Sequence, residues 1–141
     1  MPHLTHPRGR GVRSVTIETI PHSEHRYPTC GDWIYDPAKE HLTVRVSETG
    51  DWRESFCVAV HELVEAGICV QCGIDPDAVD EFDMHFEQTR DLQDDPDGEP
   101  GDDPKAPYYH QHQLATNIEH SVATHLGLHW PTHNANLGSL E

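Results

Sequence analysis

The decisive stretch is ESFCVAVHELVEAGICVQC, residues 54–72. Stepped as a helix at about 100° per residue, it places His61, Glu62 and Glu65 within about 100° of one another, with Glu54 on the same strip. The remaining surface is Phe56, Val60, Leu63, Val64, Gly67, Ile68 and Val70, the composition of a core helix. Charge is costly to bury without a partner, so one narrow polar strip on such a helix points to a metal site. Asp51 as N-cap with Glu54 three residues on forms a capping box, and Gly73 is the stop.

Upstream, Val12 to Ile20 alternates as a strand with Val15 and Ile17 on one face. Residues 21–31 form a loop carrying Pro21, Pro28 and Gly31. Trp33-Ile34-Tyr35 and Leu42 to Val46 bracket Asp36-Pro37-Ala38-Lys39-Glu40 and predict a hairpin whose second arm turns Leu42, Val44 and Val46 to one face. Downstream, Asp75-Pro76 opens a helix that runs to about Arg90, with Val79, Phe82 and Phe86 as its apolar stripe. Residues 91–107 are acidic, broken by four prolines, and predict a solvated, mobile connection without the ligand spacing of a known calcium loop. A last helix spans roughly Tyr108 to Leu126 with Gly127 as its stop, and Trp130 pins the tail over 128–141. Residues 1–11, rich in Pro, Gly and Arg, are expected to be loose. The expected fold is therefore one α+β domain over 1–141, a small antiparallel sheet of about three strands packed against three helices.

The last helix repeats the pattern of the first. Its apolar face is Ala115, Ile118, Val122 and Leu126. His112 and Glu119 project within about 20° of each other beside that face, whereas His110, His120 and His125 fall at its edges or beyond. Two helices thus each offer a His and a Glu to the core. A catalytic zinc takes three protein ligands and keeps one open position. His61 and Glu65, at i and i+4, can reach one ion, and His112 completes the set from the other helix. Glu62 lies beside them as a candidate general base. Glu119 is either a fourth ligand or holds His112 in orientation from behind, and Asp83 is a weaker candidate for either role.

Composition sets limits. The net charge of −16 leaves no basic stripe for nucleic acid, and no signal peptide or long apolar span is apparent, so a soluble, cytoplasmic protein is expected. Cys30, Cys57, Cys69 and Cys72 are expected to be reduced thiols. Cys69 and Cys72 fall on the polar strip and could join a His/Glu/Cys site, although buried thiols are the plainer reading. Thirteen histidines are many, but those at the polar ends, His3, His6, His129 and His133, read as surface residues.

His61-Glu62-Leu63-Val64-Glu65 resembles the His-Glu-x-x-His helix of zincin metallopeptidases, with Glu65 in place of the second histidine. The hairpin arm Leu42 to Val46 directly before the helix also resembles the minimal zincin core. The resemblance implies that His61 and Glu65 bind zinc and that Glu62 is the general base, with peptide as the substrate. A carboxylate is a harder ligand than imidazole, which brings Mn²⁺ or Fe²⁺ into consideration behind Zn²⁺. The whole chain, through Gly-Asp-Asp-Pro-x-Ala-Pro-Tyr at 101–108 and the helix after it, is also similar to small uncharacterised bacteriophage proteins, which implies the cytoplasm of a bacterial host.

The expected function is a metal-dependent hydrolase acting on a peptide or small-molecule substrate. Three alternatives stand beside it. His61 and Glu65 can form an ordinary pair on a solvated strip, with His112 bonded to Glu119 and no ion involved. The protein can be a non-catalytic, metal-stabilised phage factor that binds a host partner, a basic one in view of the charge. Glu62, Glu65 and Glu119 with two histidines can bind a pair of ions.

Overall fold

The computed structural model describes residues 11–140; the segment 1–10, with His3, His6 and nearly all of the stretch expected to be loose, lies outside them. The order is strand β1 (Ser14–Ile20), β2 (Gly31–Asp36), β3 (His41–Ser47), then helices α1 (Trp52–Cys72), α2 (Pro76–Gln88), α3 (Tyr109–His125) and α4 (Trp130–Gly138). The fold is α+β, as the element pattern predicts. Two details differ from expectation. The sheet is mixed, and a fourth helix occupies the tail.

The β2–β3 hairpin is antiparallel, pairing Trp33 with Val44 and Tyr35 with Leu42. β3 then takes the central place, because β1 pairs with it in parallel, Val15 to Leu42 and Ile17 to Val44, in the order β1-β3-β2. The direction of β1 follows from where loop 21–30 delivers the chain. Arg26 anchors that loop, donating to Asp32 on β2 (2.8 and 2.9 Å) and to Asp80 on α2 (3.0 Å).

Leu42, Val44 and Val46 are fully buried and pack with Trp33, Val58, Ala66, Cys69 and Val79. α1 begins at N-cap Asp51, whose side chain accepts from the Arg53 N–H (3.0 Å), and ends at left-handed Gly73. Glu54 does not complete a capping box. Its carboxylate is buried and accepts from Asn136 of α4 instead (Oε2, 3.0 Å). In α2, Asp75 caps and Pro76 opens the helix as predicted. In α4, Trp130 stacks on His120 (4.5 Å between ring centres), while His133, expected at the surface, is 1% exposed. The physical reason is an amphipathic turn with a single polar inward residue, which has a buried carboxylate waiting for it.

The acidic connection is only partly solvated. Asp91, Asp94, Asp95 and Asp97 are exposed, but the segment folds back through a 3₁₀ turn at Pro100–Asp102 and buries Gly101, Ala106 and Tyr108.

Candidate metal centre

α1 and α3 face each other with their polar strips inward. Buried on α1 are Glu54, His61 and Glu65, and on α3 His112 and Glu119, interleaved with small residues such as Ala59, Ala66, Ala115 and Ala123. Small neighbours let the two helices approach closely, so the long polar side chains fill the space between them.

Three donor atoms converge there. His61 Nε2 lies 3.2 Å from Glu65 Oε2 and 3.2 Å from His112 Nδ1, and His112 Nδ1 lies 2.9 Å from the same Glu65 oxygen. Ligand atoms held about 2.0–2.1 Å from a tetrahedral zinc stand about 3.3 Å apart, so this triangle is close to the size of one coordination face. All three residues are at least nine-tenths buried.

Two of the three are hydrogen-bonded from behind, and the third is flanked by carboxylates. His61 Nδ1 donates to Glu119 Oε1 (2.9 Å), which turns Nε2 toward the triangle. Glu65 Oε1 accepts from the Trp33 indole N–H (3.1 Å), leaving Oε2 to the triangle. His112 Nε2 faces Glu99 Oε2 at 3.0 Å and Asp102 Oδ1 at 3.3 Å. Gly101 lies flat on the His112 ring, where a Cβ would overlap the imidazole carbons.

Glu119 takes the supporting role of the two expected for it, but under His61 rather than His112. Both its oxygens are engaged, the second by His133 Nε2 (2.7 Å). A buried chain therefore runs from His133 through Glu119 to His61. Glu62 is half-buried and lines the same cavity as the triangle. Gly31 makes room for it, since a Cβ there would sit 2.6 Å from Glu62 Oε1. Asp83 also lines the cavity but faces away from the triangle, accepting from the Tyr27 hydroxyl (3.0 Å) and from that of Tyr108.

The electrostatics suit a cation. Burial disfavours charge on His61 and His112, yet their carboxylate partners outweigh it and hold both imidazoles well above the usual histidine range. Burial likewise raises Glu65 and Glu119, and their histidine partners more than reverse it. Without an ion the two pairs are thus imidazolium and carboxylate. A divalent ion would displace two protons with no change in the net charge of the cluster. Glu62 differs, because burial and the neighbouring Glu65 charge push its carboxyl well above the usual carboxylate range.

Cys57 and Cys69 are buried in the core and Cys72 is exposed, all as free thiols, so the Cys69/Cys72 pair stands apart from the triangle. His110, His120 and His125 are exposed. Sequence reasoning reached the three converging residues and Glu62, but missed Trp33, Glu99, Asp102 and His133. For His133 the available signal was Pro131 at a helix start two residues before it; for Asp102 it was the Pro100-Gly101 turn upstream of α3.

Comparison of the chain with protein-family models, with curated proteins and with solved structures finds no match in any of the three.

Proposed function

We propose that the protein is a metal-dependent hydrolase in which His61, Glu65 and His112 hold one divalent ion, Zn²⁺ first and Mn²⁺ or Fe²⁺ behind it. The observation that carries this reading is the buried triangle of donor atoms 2.9–3.2 Å apart, with His61 and Glu65 held from behind by Glu119 and Trp33. An ion with three protein ligands supplies Lewis acidity and lowers the pKa of water at its open position. Glu62, which lines the same cavity and whose carboxyl is raised, would accept a proton there and return it to the leaving group. Glu119 and Trp33 fix the orientation of His61 and Glu65 through the cycle.

A peptide substrate is supported by the position of β2. It is an edge strand of the sheet, and its residues Gly31, Asp32 and Trp33 line the cavity beside the ligands. A second reading is favoured by the cavity itself, which is only about 80 Å³. That suits a closed, structural ion in a non-catalytic protein.

The test is metal content and peptide hydrolysis in the parent and in Glu62→Gln. The hydrolase reading expects at least one equivalent of metal in both, with turnover reduced by at least about 100-fold in the variant. Bound metal without turnover in either supports the structural reading. No metal in the parent after incubation with Zn²⁺, Mn²⁺ and Fe²⁺ overturns both.

A further inference from the structure

His112 is buried at both ring nitrogens, yet only one of them belongs to the triangle. The other, Nε2, has no hydrogen bond of acceptable geometry although two carboxylates flank it, Glu99 Oε2 at 3.0 Å and Asp102 Oδ1 at 3.3 Å. A buried polar atom without a partner costs about 1–3 kcal/mol, so its direction is informative. At these distances neither oxygen lies along its N–H bond. All three donor atoms fall within 4.8 Å of one another. The nitrogen–oxygen separations again match the edge of a coordination polyhedron, about 3.3 Å for zinc.

The local fold holds this arrangement open to solvent on one side. The 3₁₀ turn at Pro100–Asp102 closes through the Asp102 N–H to the Glu99 carbonyl (3.0 Å) and presents both side chains outward over His112. Gln113 of α3 donates to Asp102 Oδ1 (3.2 Å) and orients it. The Glu99 and Asp102 side chains are 61% and 52% exposed, against 6% for His112.

We infer that Glu99, Asp102 and His112 Nε2 form a second, outer divalent-cation site, joined to the inner one by the His112 ring. It rests on the reading of the inner triangle as a metal site. With an ion at each nitrogen, His112 bridges as imidazolate, its last ring proton passing to solvent. The outer ion then meets two carboxylates and the shared ring charge, and water fills its remaining positions. This donor set suits Zn²⁺ or Mn²⁺, and exposure makes the outer ion the more weakly held and the more readily exchanged.

Zinc stoichiometry of the full chain tests the proposal. Metal-stripped protein is dialysed against buffered free Zn²⁺ and analysed for bound metal, beside Glu99→Gln/Asp102→Asn and His112→Ala. Two equivalents in the parent, one in the double variant and none in His112→Ala are expected. Glu99 and Asp102 are exposed, and the inner equivalent retained by the double variant reports that it is folded. One equivalent in both parent and double variant overturns the outer site and leaves the inner one standing, the two carboxylates then serving only to orient the ring. Two equivalents in both overturn the assignment to these residues. No zinc in the parent overturns the inner reading as well.

Discussion

The two faces of α1 invert the usual arrangement. Its inward face carries Glu54, His61 and Glu65, all buried, while Trp52, Phe56 and Leu63 on the outward face are 67%, 49% and 37% exposed. Hydrophobic burial at about 25 cal/mol per Å² would favour the opposite rotation. The polar face wins because each of its groups has a waiting partner on another element: Asn136 and His133 on α4, Glu119 and His112 on α3, Trp33 on β2. Linked buried hydrogen bonds are worth more than their separate pairs, and cost more when one member is removed. The helix is oriented by its hydrogen-bond inventory, with hydrophobic contacts to β2 and β3 supplied by the small and β-branched residues between.

Removing a central member is expected to break this arrangement most severely. His61→Ala leaves Glu65 and Glu119 each short of a partner and should cost about 3–5 kcal/mol in urea denaturation, together with the bound metal. If the variant is as stable as the parent, the inward face is not what orients α1. Next in size is the pH dependence of metal binding. His61 and His112 are both held above the usual histidine range, so an ion at the inner triangle would release two protons. Apparent zinc affinity should therefore fall about 100-fold per unit as pH is lowered through neutrality, as read by chelator competition. A change of about tenfold or less would mean that at most one of the two imidazoles is a ligand.

His133→Ala probes the far end of the chain of contacts. It leaves Glu119 Oε2 without a donor and should cost about 2–3 kcal/mol, with roughly tenfold weaker zinc binding because His61 loses its fixed support. Stability lost with unchanged affinity would separate α4 from the site. The smallest effect belongs to the other face. Phe56→Gln should change stability by about 1 kcal/mol or less. A cost of several kcal/mol would show that the apolar face is covered in solution.

The contrast also explains what the sequence could reveal. Helical angles locate His61, Glu65, His112 and Glu119 on inward strips, because the angle depends only on residue spacing. They do not say which oxygen or nitrogen meets which, so the partner of Glu119 needed the packing of α4. Glu54 illustrates the same limit: its spacing from Asp51 fits a capping box, but a tertiary partner competes for the carboxylate and takes it. Composition made residues 91–107 look uniformly solvated, although a Pro-Gly turn near their end folds onto His112. Alternation placed Val15 and Ile17 on one face correctly, yet α1 leaves them 41% and 51% exposed. The parallel pairing of β1 has no local signal, since it is decided by the path of the chain through Arg26 and its two aspartates.

The links of the buried network are far apart in the sequence: 47 residues between Glu65 and His112, 58 between His61 and Glu119, 82 between Glu54 and Asn136. Contacts of such range form after the entropy of closing long loops has been overcome, which places them late in folding and slows it. An isolated α1 peptide, though it holds two of the three converging side chains, has neither the third nor any of the supports. On the proposed reading, metal capture would accordingly be a property of the finished chain and not the nucleus around which it folds.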